Sequence, residues 1–386
     1  MVRIRCVSMI QSVRFVGVVH ARVMRSHTLW PIHFPVECEE LLRRVCQYCA
    51  PPSSTAWDLL HLADQPTSES FPKNSFRRRR RRHIPTMLRR LDEHLQGGIR
   101  VGTLTELVGR AGAAKTQLAF QVCVTAAYAL GKGSIYIDTE QKMSLARLRE
   151  MATLQQPSRE RPTQDGLAEA GLHLQATDVL NNVTVHTPTS TEDLVAILKS
   201  LDDEILLRNQ EAAETYTETQ ASSHCSSRTV LPVGLVVVDS IAAPARRDFG
   251  SGSAPERAAA MITCAQLLKR MADEHQLAVI VINQIGSTSG NRSIHDNHNV
   301  EQKQQAALGT SWHHCVSTRM LMENLEELPG GSDGSAVATP HPHRRHIRVI
   351  KSNVVGQGDP IPFHVSSLGV IDVADVMEAT NAQTHA

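Results

Sequence analysis

Short apolar runs alternate with longer amphipathic segments from residue 103 onward, and this alternation predicts the order of the core elements. Apolar runs bounded by polar residues are typical of buried strands, whereas apolar residues that recur every three to four positions are typical of helices. The predicted strands are 104–108, 134–138, 183–186, 234–239, 277–283, 317–323, 345–351 and 362–365. The predicted helices are 116–130, 143–154, 190–207 and 255–275.

This order predicts an α/β fold in which helices flank a mostly parallel central sheet, because helical segments separate most of the strands. The last three strands follow one another without such helices, so we expect them to extend the sheet as an antiparallel portion. Polar, small or Pro-rich residues dominate four other segments, which we expect to form surface loops. These segments are 155–164, 209–228, 286–305 and 328–343.

The residues ahead of this core differ from it in composition. Residues 1–36 contain five arginines and no acid, a pattern compatible with a mitochondrial transit peptide and equally with a basic N-terminal extension. Residues 37–65 have the pattern of a small helical region, and residues 66–83 form an Arg-rich linker that includes the run from Arg77 to Arg82. The core is expected to span 84–375, followed by a short tail, 376–386.

Composition excludes several classes of protein. The chain has 386 residues, of which 40 are Lys or Arg and 39 are Asp or Glu, so the net charge of +1 indicates no overall affinity for polyanions. The hydrophobic content of 41% is that of a globular protein. No apolar stretch approaches the roughly 18 residues of a membrane-spanning helix, so no membrane partner is expected. The eight cysteines are too scattered for a disulfide framework, which favours a reducing compartment.

The turn after the first core strand carries a phosphate-loop pattern. It follows G-x-x-x-x-G-K-[ST] with one departure, because Ala114 occupies the place of the glycine before the lysine. In this motif backbone NH groups at a helix N-terminus cradle phosphates, the lysine reaches the β- and γ-phosphates, and the Ser or Thr hydroxyl binds Mg²⁺. A methyl group adds bulk there and disfavours positive φ, which predicts a weakened nucleotide site. The candidate cofactor-binding residues are Gly109, Arg110, Ala111, Gly112, Ala113, Ala114, Lys115, Thr116 and Gln117.

Acidic side chains end two further strands of the predicted sheet. Asp239 ends an apolar strand, as expected of the acid that holds Mg²⁺ opposite a phosphate loop. Asp138 and Glu140 come at the end of another strand, and parallel strands bring such residues to the carboxyl edge where open α/β sheets bind ligands. Glu140 is therefore a candidate general base that orients the attacking water. The alternative is a surface carboxylate that caps the following helix.

In their order and spacing, these motifs resemble the RecA-like recombinases, and specifically their eukaryotic paralogue branch. The resemblance runs from about residue 84 to residue 372. It rests on the segments 91–99, 102–109, 115–117, 136–140, 237–242, 246–249 and 282–285. Residues 307–312 are more similar to the paralogues than to the strand-exchange recombinases, and residues 49–51 with 55–57 are most similar to the B-type paralogue.

The resemblance implies a RecA-like P-loop ATPase core with ATP and Mg²⁺ as cofactors. It implies that Lys115 and Thr116 contact phosphates and metal, and that Asp239 supports the metal. It further implies that Glu140 activates water and that Gln284 links the γ-phosphate to a DNA-binding loop. With Lys115, the last two residues form the implied catalytic set.

The resemblance also implies DNA as a partner. Two loops, 243–256 and 286–305, match the family's DNA-facing loops, which use basic groups to hold a single strand. The candidate DNA-binding residues in or next to them are Arg246, Arg247, Arg257 and Arg292. The implied partners are single-stranded or branched DNA and other recombinase paralogues, and the implied location is the nucleus, with the mitochondrion as the alternative if residues 1–36 are a transit peptide.

One departure from the family pattern concerns assembly. Active recombinases carry Phe-x-x-Ala in the linker, and the matching place here begins at Ser53, so an aromatic hot spot for self-polymerisation is missing. The leading hypothesis is therefore a homologous-recombination mediator that binds ATP and DNA, hydrolyses ATP weakly and assembles with other paralogues. The alternatives are a nucleotide-gated scaffold with little hydrolysis, which Ala114 favours, and a RecA-like strand-exchange recombinase.

Overall fold

The structure is a computed structural model that describes residues 82–157, 174–221, 229–249, 253–284, 309–324 and 345–373. The expectations for residues 1–36, 37–65 and 376–386 lie outside this range, as do those for all but the end of the 66–83 linker. The predicted loops 286–305 and 328–343 also lie outside it.

The described elements alternate between strands and helices over most of their length. In chain order they are β1 His83–Ile84, α1 Arg89–His94, β2 Ile99–Arg100, β3 Leu104–Gly109, α2 Lys115–Leu130, β4 Gly133–Asp138, α3 Leu145–Leu154, α4 Ala176–Asn181, β5 Val183–His186, α5 Thr191–Ala221, β6 Val233–Asp239, α6 Ala243–Asp248, α7 Ala254–His275, β7 Ala278–Gln284, α8 Gly309–Cys315, β8 Thr318–Asn324, β9 Arg345–Ser352, β10 Ile361–Ser366 and β11 Gly369–Asp372. All of the predicted core strands and helices are present. The additional elements are short, and short elements show no clear periodicity.

Within the described residues, nine strands form one sheet in the order β11-β10-β9-β8-β3-β7-β6-β4-β5. The strands from β8 to β5 in this order are parallel to their neighbours, whereas β9, β10 and β11 join at one end as antiparallel strands. The prediction of an α/β fold with a mostly parallel sheet and an antiparallel extension is confirmed. Strands β1 and β2 form a separate antiparallel pair.

The central strands are apolar on both faces because helices cover both. In β6, Leu235 and Val237 belong to one core layer, and Val236 and Val238 belong to the other. The first layer contains the apolar side chains of α2, and the second contains those of α5 and α7. Burial on both faces explains why these strands read as continuous apolar runs rather than as alternating ones.

Two expected loops are in part helical. Helix α5 continues to Ala221, through much of the predicted loop 209–228, because this stretch is rich in Glu, Ala and Gln and contains no Gly or Pro. The expected DNA-facing loop 243–256 contains helix α6 and the first residues of α7. A proline lies in the first turn of each, where its missing NH group costs no hydrogen bond.

Four parallel strands end side by side at one edge of the sheet. Gly109 pairs with Gln284 at the ends of β3 and β7, and Asp138 pairs with Asp239 at the ends of β4 and β6. The topology therefore brings the phosphate-loop pattern and the strand-end carboxylates to a single site. Among the helices that the structure describes, none is long and apolar enough to cross a membrane.

Candidate functional site

The turn between β3 and α2 folds around the ammonium group of Lys115. Its Nζ donates hydrogen bonds to the carbonyl oxygens of Gly109, at 2.8 Å, and Arg110, at 2.7 Å. Burial lowers the pKa of Lys115 to about 8, although the charges of Asp239 and Glu140 act in the opposite direction. Lys115 is therefore still mainly charged at neutral pH, and the loop's own carbonyl groups hold it.

The backbone of the loop explains its glycines and its one departure from the motif. A Cβ atom on Gly109 would lie 2.2 Å from the carbonyl oxygen of Met322 in β8, so sheet packing excludes a side chain there. Gly112 has a φ of 79° with open space beside it, and its carbonyl accepts a hydrogen bond from Arg345 Nε at 3.3 Å. Ala114 has a φ of 70°, in the left-handed region that costs a non-glycine residue energy. The alanine is thus strained where the motif has glycine.

Asp239, at the end of β6, accepts two hydrogen bonds on one carboxylate oxygen. Thr116 Oγ1 donates to Oδ2 at 2.7 Å, and the Tyr136 hydroxyl donates to the same atom at 2.9 Å. Burial raises the pKa of Asp239, the two hydrogen bonds act to lower it, and the charges of Glu140 and Asp138 raise it again. The Thr116 hydroxyl and the Asp239 carboxylate therefore lie side by side, close enough to act on the same metal ion.

Glu140 lies just beyond β4, and three side chains donate to it. Gln284 Nε2 and Ser240 Oγ donate to Oε1 at 2.8 Å and 3.1 Å, and Lys142 Nζ forms an ion pair with Oε2. Burial acts to raise the pKa of Glu140, but the hydrogen bonds from Lys142 and Ser240 and the charge of Arg246 outweigh it and lower the pKa. Glu140 is therefore ionised at neutral pH, as a group that orients water must be.

These residues fit a magnesium–nucleotide complex. Mg²⁺ prefers oxygen ligands and usually takes only one or two protein groups, completing its shell with waters and phosphate oxygens. Thr116 and Asp239 supply such oxygens, and the N-terminus of the 16-residue helix α2 attracts anions. Among the described residues, no three or more His, Cys, Asp or Glu side chains are grouped so that they could hold a metal ion.

Two of the arginines predicted to contact DNA lie against the same edge of the sheet. Arg247 donates from Nη1 to the Thr139 carbonyl and from Nη2 to the Thr189 carbonyl, both at 3.1 Å. Arg246 Nη1 lies 3.4 Å from the Gln284 carbonyl oxygen. Arg247 therefore bridges β4 and the start of α5 by its guanidinium group, while Arg246 lies next to the end of β7.

The two remaining candidate DNA contacts are Arg257 and Arg292. Arg257 is half-buried on α7, and Arg292 lies outside the described residues. Sequence reasoning did not assign a role to Tyr136, Ser240 or Lys142. Ser240 and Lys142 lie within two residues of the predicted site residues Asp239 and Glu140, and this proximity was the available signal, whereas Tyr136 lies four residues before Glu140 and had no such signal.

Comparison with known proteins agrees with this geometry. The sequence model of the Rad51 family matches residues 77–325, more than half of the chain. The chain is 29% identical over 311 residues to "DNA repair protein RAD51 homolog 2" of Mus musculus, covering 74% of this chain and 75% of that protein. It is 27% identical over 307 residues to "DNA repair protein XRCC3" of Mus musculus, covering 75% and 73%. The resemblance to the RecA-like recombinases and their eukaryotic paralogues is confirmed, and the chain belongs to the Rad51 family.

Proposed function

We propose that this protein is an ATP-binding DNA-repair subunit of the recombinase-paralogue type, which acts in homologous recombination. The observation that carries the proposal is the convergence of Lys115, Thr116, Asp239, Glu140 and Gln284 at one edge of the sheet. Membership of the Rad51 family and the names of its relatives, which are DNA repair proteins, support the same function.

Each side chain has a specific role in this proposal. Lys115 and the NH groups at the start of α2 bind the phosphates, while Thr116 and Asp239 hold Mg²⁺. The metal, when bound, neutralises charge that develops on the phosphates. Glu140 orients the attacking water, and Gln284, which donates to Glu140, senses the state of the terminal phosphate. The remaining residues of the phosphate loop, from Gly109 to Gln117, shape the site.

The proposed partners are DNA and other recombinase paralogues. Arg246, Arg247, Arg257 and Arg292 are the proposed DNA contacts, and the first of these couples DNA to the nucleotide edge because it lies beside Gln284. We place the protein in the nucleus, because its relatives are DNA repair proteins. The relatives give no support to the mitochondrial alternative.

The experiment that tests the proposal is equilibrium binding of a fluorescent ATP analogue in the presence of Mg²⁺. Lys115→Ala is expected to abolish measurable binding. It removes the ammonium group that the loop encloses through the Gly109 and Arg110 carbonyls, and the remaining donors near the start of α2 are mainly backbone NH groups. Lys132→Ala is the matched control, since Lys132 is a partly buried lysine two residues beyond the opposite end of α2, and its pKa is also lowered by burial. Unchanged affinity in a folded Lys115→Ala variant would contradict the nucleotide site.

A nucleotide-gated scaffold is the second candidate, and two observations favour it. Ala114 strains the loop with its φ of 70°, and the Lys142 ammonium group occupies one oxygen of the candidate base Glu140. Single-turnover hydrolysis with and without single-stranded DNA separates the two functions. A weak rate of ATP hydrolysis that DNA stimulates and Glu140→Gln removes indicates an ATPase. Tight binding of ATP without hydrolysis, in both the wild type and Glu140→Gln, indicates a scaffold.

A further inference from the structure

Tyr136 is a buried residue whose hydroxyl group reaches the proposed nucleotide site from within the sheet. It lies in the middle of β4 and is 1% exposed, and its ring packs against Phe120 of α2 with the centroids 5.5 Å apart. Its hydroxyl donates to Asp239 Oδ2 at 2.9 Å. A buried aromatic ring that packs in this way has little freedom to turn, so the position of the hydroxyl is fixed by the fold.

The hydrogen bonds to Asp239 are distributed unevenly between its two oxygens. Oδ2 accepts from both Tyr136 and Thr116, which approach from a strand and from a helix. Oδ1 accepts no hydrogen bond from any residue that the structure describes. Two donors on one oxygen fix the rotation of the carboxylate about its Cβ–Cγ bond. Oδ1 is therefore kept available for a ligand.

We propose that Tyr136 is a positioning residue for Mg²⁺ binding, which holds the Asp239 carboxylate in a fixed rotation so that Oδ1 would face the metal; this inference rests on the proposed function. Thr116 cannot do this alone, because its hydroxyl oxygen is itself a proposed metal ligand. Groups that orient a metal-binding carboxylate typically change metal affinity by about 10- to 100-fold when they are removed. Nothing in the phosphate-loop pattern points to this tyrosine.

A purely structural role for the hydroxyl is the competing explanation. Strand β4, however, pairs with β6 along its whole length, from Gly133 to Asp138, and with β5 on its other side. The pairing of these strands therefore does not depend on the tyrosine hydroxyl. A structural role predicts a loss of stability alone, whereas the positioning role predicts a change in the response to metal.

The test is Tyr136→Phe, which removes one oxygen atom and keeps the packed ring. Binding of a fluorescent ATP analogue is measured at increasing Mg²⁺ concentration, and separately in excess chelator. We expect the Mg²⁺ concentration at half-maximal binding to rise roughly 10-fold, the lower end of the range for such residues, because Thr116 still donates to the same carboxylate oxygen. Binding in chelator is expected to equal that of the wild type.

Tyr128→Phe is the matched control. The Tyr128 hydroxyl also makes one hydrogen bond, to the Ala152 carbonyl at 2.8 Å, but it packs α2 against α3 away from the site. This control is expected to leave the Mg²⁺ midpoint unchanged. In an Asp239→Asn background, Tyr136→Phe should have no additional effect on the midpoint, since the carboxylate that it positions has been removed.

Three outcomes decide between the explanations. A raised Mg²⁺ midpoint in Tyr136→Phe, with normal binding in chelator, supports the proposal. A wild-type midpoint in this variant, with or without a lower melting temperature, overturns it and leaves the nucleotide site intact. Wild-type protein that binds the ATP analogue neither with Mg²⁺ nor without it contradicts the proposed function, and the inference falls with it.

Discussion

Arg319 donates its Nε–H group to Glu106 Oε2 over 2.6 Å in the interior of the sheet, where Glu106 is completely buried. Oε1 of the same carboxylate accepts from Asn283 Nδ2 at 2.9 Å and from Trp312 Nε1 at 3.0 Å. One carboxylate therefore joins β3, β7, β8 and α8. Strand β3 leads into the phosphate loop, and Asn283 precedes Gln284 at the end of β7. The network therefore fixes the position of the phosphate loop relative to Gln284.

We predict that Arg319→Met strongly destabilises the protein. It removes the positive charge next to Glu106, and a buried carboxylate that loses its partner typically costs about 3–5 kcal/mol. Replacing both partners, Arg319→Met with Glu106→Gln, is expected to recover part of this loss because no uncompensated charge remains. The measurement is the free energy of unfolding from urea titrations followed by circular dichroism.

The matched control is Arg270→Met, which breaks the ion pair between Arg270 and Asp202. Arg270 is 48% exposed, and exposed ion pairs contribute at most about 1 kcal/mol. If Arg319→Met lowers the free energy of unfolding no more than Arg270→Met does, Glu106 is not a buried charge that depends on its partner.

The grouping of site residues at one edge of the sheet could be predicted from the sequence, but the hydrogen bonds around Glu106 could not. Parallel strands end at one edge, so the positions of Asp239 and Glu140 at the ends of apolar runs were sufficient to predict that they approach the phosphate loop. Glu106 is one polar residue in an apolar strand, and its donors come from elements as far away as Arg319. No local periodicity carries information about such distant partners.

The arginines illustrate the same limit. Arg246 and Arg247 were predicted to be DNA contacts on a loop, but they lie on a short helix, and the guanidinium group of Arg247 donates to two backbone carbonyls. The sequence shows that a side chain is charged. The direction in which the side chain points depends on which carbonyl groups lie near it in the fold, as they do for Arg247. The length of α5 differs from the prediction for another reason, since a polar stretch of good helix formers has the composition of a loop but continues the helix.

The strained backbone at Ala114 predicts that Ala114→Gly stabilises the protein. The left-handed conformation costs a non-glycine residue roughly 1–2 kcal/mol, whereas the greater freedom of glycine in the unfolded chain costs roughly 0.4–1 kcal/mol. The net gain is about 0.5–1 kcal/mol, measured by urea unfolding. Ala113→Gly is the control and should destabilise the protein, because Ala113 is buried and does not have a positive φ.

Binding of ATP is expected to be equal or tighter in Ala114→Gly, and a clear loss of binding would contradict the assignment of this turn as a phosphate loop.

The residue at position 53 predicts weak self-assembly. The resemblance to the recombinases implies that Ser53 matches the place of their aromatic anchor; it lies outside the described residues, so this prediction rests on sequence alone. Sedimentation velocity with ATP and single-stranded DNA is expected to show a monomer or small oligomer, and long filaments would favour the strand-exchange alternative. Ser53→Phe should tighten binding to an active recombinase core by at least about 2 kcal/mol, roughly thirty-fold. No gain would contradict the match between Ser53 and the anchor position.

The lowered pKa of Lys115 predicts how nucleotide affinity depends on pH. Without nucleotide this pKa is about 8, because burial disfavours the charged form. A bound polyphosphate favours the charged form, so the pKa rises in the complex, and binding above pH 8 requires the uptake of a proton. The affinity for nucleotide is therefore highest below about pH 8 and falls as the pH rises through this value. Well above it, the decrease in affinity approaches about tenfold per pH unit.

The measurement is the dissociation constant of the ATP analogue from about pH 6.5 to about pH 9.5 at constant Mg²⁺ and ionic strength. Lys115→Arg binds more weakly but should lose the pH dependence, because a guanidinium group remains charged throughout this range. Lys132→Ala is expected to keep the wild-type profile, since Lys132 lies at the other end of α2. If the wild-type affinity is constant across this range while Lys115→Ala still abolishes binding, the lysine contacts phosphate with an ordinary pKa, and the enclosure by the Gly109 and Arg110 carbonyls does not persist in solution.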